Sequence, residues 1–480
     1  MFASEIAPYI KTGGLADVIG SLPQALALID QVDQIDIFIP LYRDIKRKNL
    51  NTTELEFKFK VKIGSRNFNG SVYKYKPKNT KITIYFIDNF KLFGIRSSLY
   101  VREGSDYRDN LTRFVFFCRG SIETVKYLSS SQKYDIFHMH DWQTALIGLY
   151  SKIDTFFQQN PPNLVYSVHN LAYQGLFPRS QFKLLGIDDK YNHQAYLEFW
   201  GKINLMKAGL LFSDQITTVS PTYAQEIQTT QYGAGLEKLL ENLNHKLTGI
   251  LNGVDYSVWN PETDPYIAQN YSYDDLSGKE ACKIRLQQTF QLEENDSIPI
   301  FSVISRLDWQ KGQDLILKVI PEFLKTKVQF VLLGTGSLEL EMRFNELRHQ
   351  FPTNTGISLT YNEHLAHQIE AGADIFLMPS RYEPSGLNDK YSLRYGTIPI
   401  VSNTGGLADS VVDHTKNNSL GTGFVFDNYT EEDFRNAIIH ALKVFETKET
   451  WVKLMQRGMQ QDFSWHKAAN AYFKVYKSKN

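Results

Sequence analysis

The amino-acid sequence predicts an α/β protein of two doubly wound domains, each a parallel sheet between layers of helices. Three observations lead there. The chain has 480 residues, too long for one ordinary hydrophobic core, and 42% of them are apolar, enough to fill two. Short runs rich in Val, Ile and Phe alternate with helical stretches through both halves. Most of those runs are apolar throughout rather than alternating, as strands buried on both faces must be.

The first half offers strands at 35–40, 82–87, 136–140, 164–169 and 215–219. The second offers 298–302, 329–333, 357–361, 375–378 and 398–401. Residues 56–63 alternate polar and apolar, and 67–76 do so more loosely, which predicts a small antiparallel insertion. After a helix at 236–240, the domain boundary is expected near 243–249, and the polar stretch 260–278 reads as surface loop. The expected division is 1–245, 246–460 and a final helical stretch 461–480. Only Met1–Ser4 precede Glu5, fewer than the ~5–6 residues of an average strand. The sequence therefore favours a start that lies downstream of the true one.

The hexapeptide Thr-Gly-Gly-Leu-Ala-Asp occurs twice, at 12–17 and 404–409, and reads as two loops of similar shape, one per domain. In the first copy, two glycines permit close backbone approach, and the following helix start turns N–H groups and a positive dipole end toward an anion. Lys11 adds a charge, and the combination suits a diphosphate. The second copy follows the strand at 398–401, at the carboxyl end where open α/β sheets bind ligands. Arg306 and Lys311 flank a tight turn after another strand and can converge on one anion, a guanidinium fork beside a point charge. Glu383, between a strand end and Pro384, is placed to accept hydrogen bonds from sugar hydroxyls, and Gly386 to open a helix. Asp141 and His169 end two strands of the first half and read as sugar and acceptor contacts. Two histidines, His138 and His140, lie close to Asp141, but they share one strand face and the set lacks a convincing further carboxylate or imidazole at metal spacing, so no metal is expected.

Taken together and in order, Lys-Thr-Gly-Gly-Leu-Ala-Asp-Val at 11–18, His140-Asp141-Trp142, Val-His-Asn-Leu-Ala-Tyr-Gln-Gly at 168–175, Asn-Gly-Val-Asp at 252–255, the Arg306–Lys311 turn and Glu383-Pro384-x-Gly386-Leu387 resemble the bacterial glycogen synthases and plant starch synthases. The resemblance implies the GT-B architecture, two Rossmann-like domains facing across a cleft. It implies transfer of glucose from ADP-glucose to the non-reducing end of an α-1,4-glucan, with retention of configuration. ADP-glucose is then a substrate, and no cofactor or metal is implied. Glu383, His169, Asp141, Arg306 and Lys311 are the expected catalytic set. Lys11, Gly14, Asp17, Asn170, Asn252, Tyr361, Ser385, Gly386, Leu387, Thr404 and Gly405 are the expected binding set, with Tyr361 near the adenine. One departure stands out: Asp389-Lys390 replaces the family's Gln and apolar residue, and Asp389 would put a carboxylate where a phosphate should sit. The alternative is a related GT-B transferase that uses UDP-glucose or another acceptor, or a weakly active or regulatory glucan-binding homologue.

Lys+Arg and Asp+Glu balance at 52 each, so no global charge draws the chain to nucleic acid or an anionic membrane. Cys118 and Cys282 match no metal or redox spacing, and no apolar run reaches the ~18 residues of a membrane span. A cytoplasmic protein is expected, possible association with glucan granules included.

Overall fold

The computed structural model describes residues 1–102 and 104–478. The chain forms two compact units. The first holds Met1–Val219, Ala224–Gly253 and the stretch from Trp465; the second holds Ser220–Tyr223 and Val254–Ser464.

In the second unit six strands pair in parallel, in the order Thr355–Ser358, Gln329–Leu333, Ile300–Ile304, Ile375–Met378, Ile398–Ser402, Phe424–Phe426. Numbered along the chain that is 3-2-1-4-5-6, the Rossmann order, with its switch point between Ile300–Ile304 and Ile375–Met378. Phe301, Phe330, Leu332, Leu377 and Ile400 are buried against helix residues such as Ile316, Phe344 and Ile438. Each such side chain contributes roughly 1.5–3 kcal/mol by leaving water.

The first unit repeats that order by an unexpected route. Ile35–Pro40 pairs in parallel with Ile82–Asp88, and Ile136–His140 with Asn163–Val168, which continues to Gln215–Thr218 and Leu247–Gly249. Between the two groups lies Phe2, which bridges in parallel to both Phe38 and Met139. Phe2 N donates to His138 O at 2.8 Å and Ala3 N to Phe38 O at 3.1 Å. The residues before Glu5 are therefore the central strand. They pair with neighbours on both sides, and Phe2 stacks on Phe38 at 4.9 Å. Residues Thr53–Ile63 and Arg66–Tyr75 form the antiparallel extension at one edge.

The helix Trp465–Lys477 packs on the first unit against the helix Gly14–Ala27. Its Tyr476 hydroxyl meets His138 Nδ1 at 2.8 Å. The stretch 260–278 holds no regular element before the helix Ser277–Thr289, but it is not merely surface. Its Asp264 is buried and accepts from Tyr395 at 2.5 Å, with His367 Nδ1 at 2.7 Å. Among the described residues, no helix is long and apolar enough to cross a membrane.

Candidate active site

In the first unit, the loop after the central strand is organised by Glu5. Its buried carboxylate accepts from Thr12 N at 2.5 Å, Thr12 Oγ1 at 2.6 Å, Gly13 N at 3.3 Å and the Tyr100 hydroxyl at 2.7 Å. Burial pushes the Tyr100 hydroxyl well up, so it stays a donor. Sequence reasoning missed Glu5, because its partners are two backbone N–H groups, the Thr12 hydroxyl and a tyrosine far along the chain. A Cβ built at Gly13 or Gly14 would meet nothing within 4 Å. The loop is open, as close backbone approach by a ligand requires. Lys11 Nζ lies 2.7 Å from Asp17, at a side chain 48% exposed. Such a surface pair is worth only ~0–1 kcal/mol, so Lys11 can turn to an anion at small cost.

Asp141 follows Ile136–His140, the strand across the first unit's own switch point from the central strand, and stands at a positive φ of 57°. Its carboxylate accepts from His169 N at 2.8 Å and also from the Asn170 backbone. Burial raises its pKa to about 7 against those bonds. His169 Nε2 meets His140 Nδ1 at 3.0 Å. Burial lowers His169 to about 4 and His140 well below its ordinary range, so the pair is neutral and shares one proton across that contact. Asn252 is buried, and its Oδ1 has no hydrogen-bond partner among the described residues. His138, between Tyr476 and Ser167, belongs to the core.

In the second unit, the switch point carries Lys311 and Glu383. Lys311 Nζ lies 2.5 Å from Glu383 Oε2, which Ser380 Oγ also approaches at 3.2 Å. Lys311 is fixed from behind: Asp308 accepts its backbone N–H at 3.1 Å, and Gly312 follows at φ 73°. A Cβ at Gly312 would lie 1.8 Å from Pro379 O, so only glycine lets the two switch-point loops touch. Arg306 does not converge with Lys311 here. It is 63% exposed and pairs with Asp308 at 3.3 Å. Tyr361 is exposed in the loop after Thr355–Ser358.

The second copy of the hexapeptide differs from the first in shape and place. It follows the fifth strand of its sheet, not the first. A Cβ at Gly405 would lie 2.0 Å from Glu383 O, and one at Gly406 1.8 Å from Ser385 O. Gly406 N donates to Glu383 O at 3.0 Å. These glycines let Thr404–Leu407 wedge against the Glu383–Gly386 loop. The expectation of two similar loops is corrected accordingly. Asp409 accepts from Thr222 N at 2.9 Å and Thr222 Oγ1 at 2.8 Å, where Asp17 pairs with Lys11.

Two expectations about the Glu383 loop also change. Gly386 does not open the helix. It stands at φ 68°, and the helix runs Asn388–Arg394 after Leu387. Asp389 is fully buried and turned inward, where Ser410 Oγ donates to it. Lys390, equally buried, donates to Ser385 O at 2.9 Å and Gly386 O at 2.7 Å, with Asp389 Oδ2 at 3.4 Å. The carboxylate therefore does not occupy an exposed phosphate position, and burial raises its pKa while Lys390 opposes the rise.

Residues 1–242 match the family model for the starch synthase catalytic domain, and 285–456 the model for glycosyl transferases group 1. Glycogen synthase 2 of Geobacter metallireducens is 41% identical over 480 residues, covering 99% of this chain and 97% of that one. The chain belongs to the glycogen and starch synthase family. Glycogen synthase of Koribacter versatilis is also 41% identical, over 99% of this chain and 96% of its own. The catalytic domain of starch synthase IV from Arabidopsis thaliana, bound to ADP and acarbose, matches at a TM-score of 0.88 with 32% identity, covering 99% of this chain and 97% of that one. Family membership makes the chain a retaining glucosyltransferase of GT-B fold. Among the described residues, no group of three or more His, Cys, Asp or Glu is arranged to hold a metal ion.

Proposed function

We propose that the chain transfers glucose from ADP-glucose to the non-reducing end of an α-1,4-glucan, with retention at the anomeric carbon, in the cytoplasm. The observation that carries this reading is the Lys311–Glu383 pair at the switch point of the second unit, 2.5 Å apart, in a chain alike to glycogen synthases along its whole length. Lys311 stabilises the departing diphosphate as charge builds on it, Arg306 turns to it from its exposed pair with Asp308, and Lys11 and the open Gly13-Gly14 loop supply a further anion contact. Glu383 and His169 orient the glucose. An oxygen of the leaving phosphate takes the acceptor hydroxyl's proton as that hydroxyl attacks from the same face. A neutral His169 suits this role, because it can donate one hydrogen bond without adding charge. The inward turn of Asp389 supports a loop open to a donor diphosphate. That Arabidopsis starch synthase was solved with ADP supports adenine over uracil.

Purified protein given glycogen and equimolar ADP-glucose and UDP-glucose should release ADP with little UDP. Release of UDP alone would overturn the donor assignment.

A further inference from the structure

We propose that Trp200 is a stacking platform for a glucosyl ring of the glucan acceptor, away from the reacting end; this rests on the glucan reading above. The indole stands at the tip of a hairpin formed by Glu198–Phe199 and Lys202–Asn204. Neither local preference nor burial selects tryptophan there. Trp200 and Gly201 have φ of 51° and 77°, the two positive values of a tight hairpin turn that prefers Asn-Gly. Trp200 is also 83% exposed, so it gains little from the core. A bulky residue kept in a disfavoured backbone conformation and in water points to a ligand.

The tip is rigid. Gly201 N donates to Glu198 Oε1 at 2.8 Å. Buried Lys207 donates to Glu198 O at 2.8 Å and Gln194 O at 2.7 Å. The Phe199 ring meets the indole edge-on at 6.3 Å. The hairpin is tied to the loop that carries His169. Asn204 donates to Gln174 Oε1 at 2.6 Å, and Gln174 donates to Ala234 O at 3.0 Å. Strand Lys202–Asn204 also pairs with Leu176–Pro178, directly after that loop. From Asn204 to the tip is roughly 13 Å of strand. Two more exposed apolar side chains, Tyr173 at 57% in the His169 loop and Leu176 at 43% opposite Asn204, stand at the loop end of that strand. A polymer of glucose leaving the His169 loop meets exposed Tyr173 and Leu176 at one end of this hairpin and the indole at the other. The C–H face of a pyranose is the surface that stacks on an aromatic ring.

Trp200→Asn tests this, because Asn suits the turn and removes only the ring. Its mobility should be retarded less than the parent's in native gels containing glycogen, an assay that needs no donor. Its KM for glycogen should rise about tenfold, the scale of one lost aromatic anchor. The KM for ADP-glucose should not change, and the melting temperature should hold or rise. Unchanged glycogen retention, a loss matched by a lower melting temperature, or a change only in self-association or binding to lipid vesicles would each overturn the assignment. If the parent transfers nothing from ADP-glucose yet its retention by glycogen depends on Trp200, the platform stands and the donor reading falls.

Discussion

The same six residues, Thr-Gly-Gly-Leu-Ala-Asp, do different work at their two positions. At 12–17 the glycines face open space, and the loop hangs from Glu5. At 404–409 the glycines are consumed by packing against the carbonyls of Glu383 and Ser385. Topology explains the split. The first copy follows the central strand of its sheet; the second follows a strand one place off the switch point. The counterpart of the Lys11–Gly14 loop is thus the Arg306–Gly312 loop, which has a different sequence and the same place in the fold. Identity of sequence is a weaker guide to function here than position in the sheet.

The largest expected effect separates the two copies. Gly406→Ala forces a Cβ to 1.8 Å from a backbone oxygen, so it should cost upwards of ~4 kcal/mol and sharply lower the melting temperature. Gly14→Ala meets nothing and opens a helix, so its stability should hold or rise by up to ~1 kcal/mol while its KM for ADP-glucose climbs. Equal melting temperatures for the two variants would erase the contrast.

The next effect concerns what supports the wedge. Lys390→Met leaves Asp389 buried without its neighbouring ammonium and releases two loop carbonyls, at an expected ~3–4 kcal/mol. The double change Asp389→Gln with Lys390→Met should recover most of that stability. Chemical denaturation of both variants reads this, and no recovery would mean that the ion pair is not what matters.

The smallest effect is a pH slope in the first unit. The folded pKa of Asp141 is raised to about 7 from an unfolded value near ~3.9, so the folded state holds the extra proton between those values. Its contribution to stability is present at low pH and is lost as pH rises through 7. His169, lowered to about 4, acts oppositely: its contribution is present above its unfolded value of ~6.5 and is lost as pH falls toward 4. Melting curves from pH 5 to 8 should show the parent losing stability relative to Asp141→Asn as pH rises. A constant difference would argue against the raised carboxyl.

How much of this was legible in the sequence depends on whether the cause is local. Strands such as Ile375–Met378 could be read because full burial writes a continuous apolar run. Lys311 and Glu383 could be read because each stands just past such a strand. The central strand could not, since its pairing depends on Phe38 and Met139, remote in sequence. Nor could Glu5, or the inward turn of Asp389, which rests on Ser410 and on Lys390, itself held by two loop carbonyls. Asp264 sat in a stretch that read as polar surface, and its burial rests on His367 and Tyr395, about a hundred or more residues on.

The central claim is that the two loops at the switch points, and not the two copies of the hexapeptide, are the functional counterparts. The most direct test is the initial rate of ADP release from ADP-glucose with glycogen for Lys11→Ala and Arg306→Ala, each beside its melting curve. Both rates should fall at least ~10²-fold, the scale of losing one charge-stabilising donor, with melting unchanged. An unchanged rate in either variant would contradict the claim.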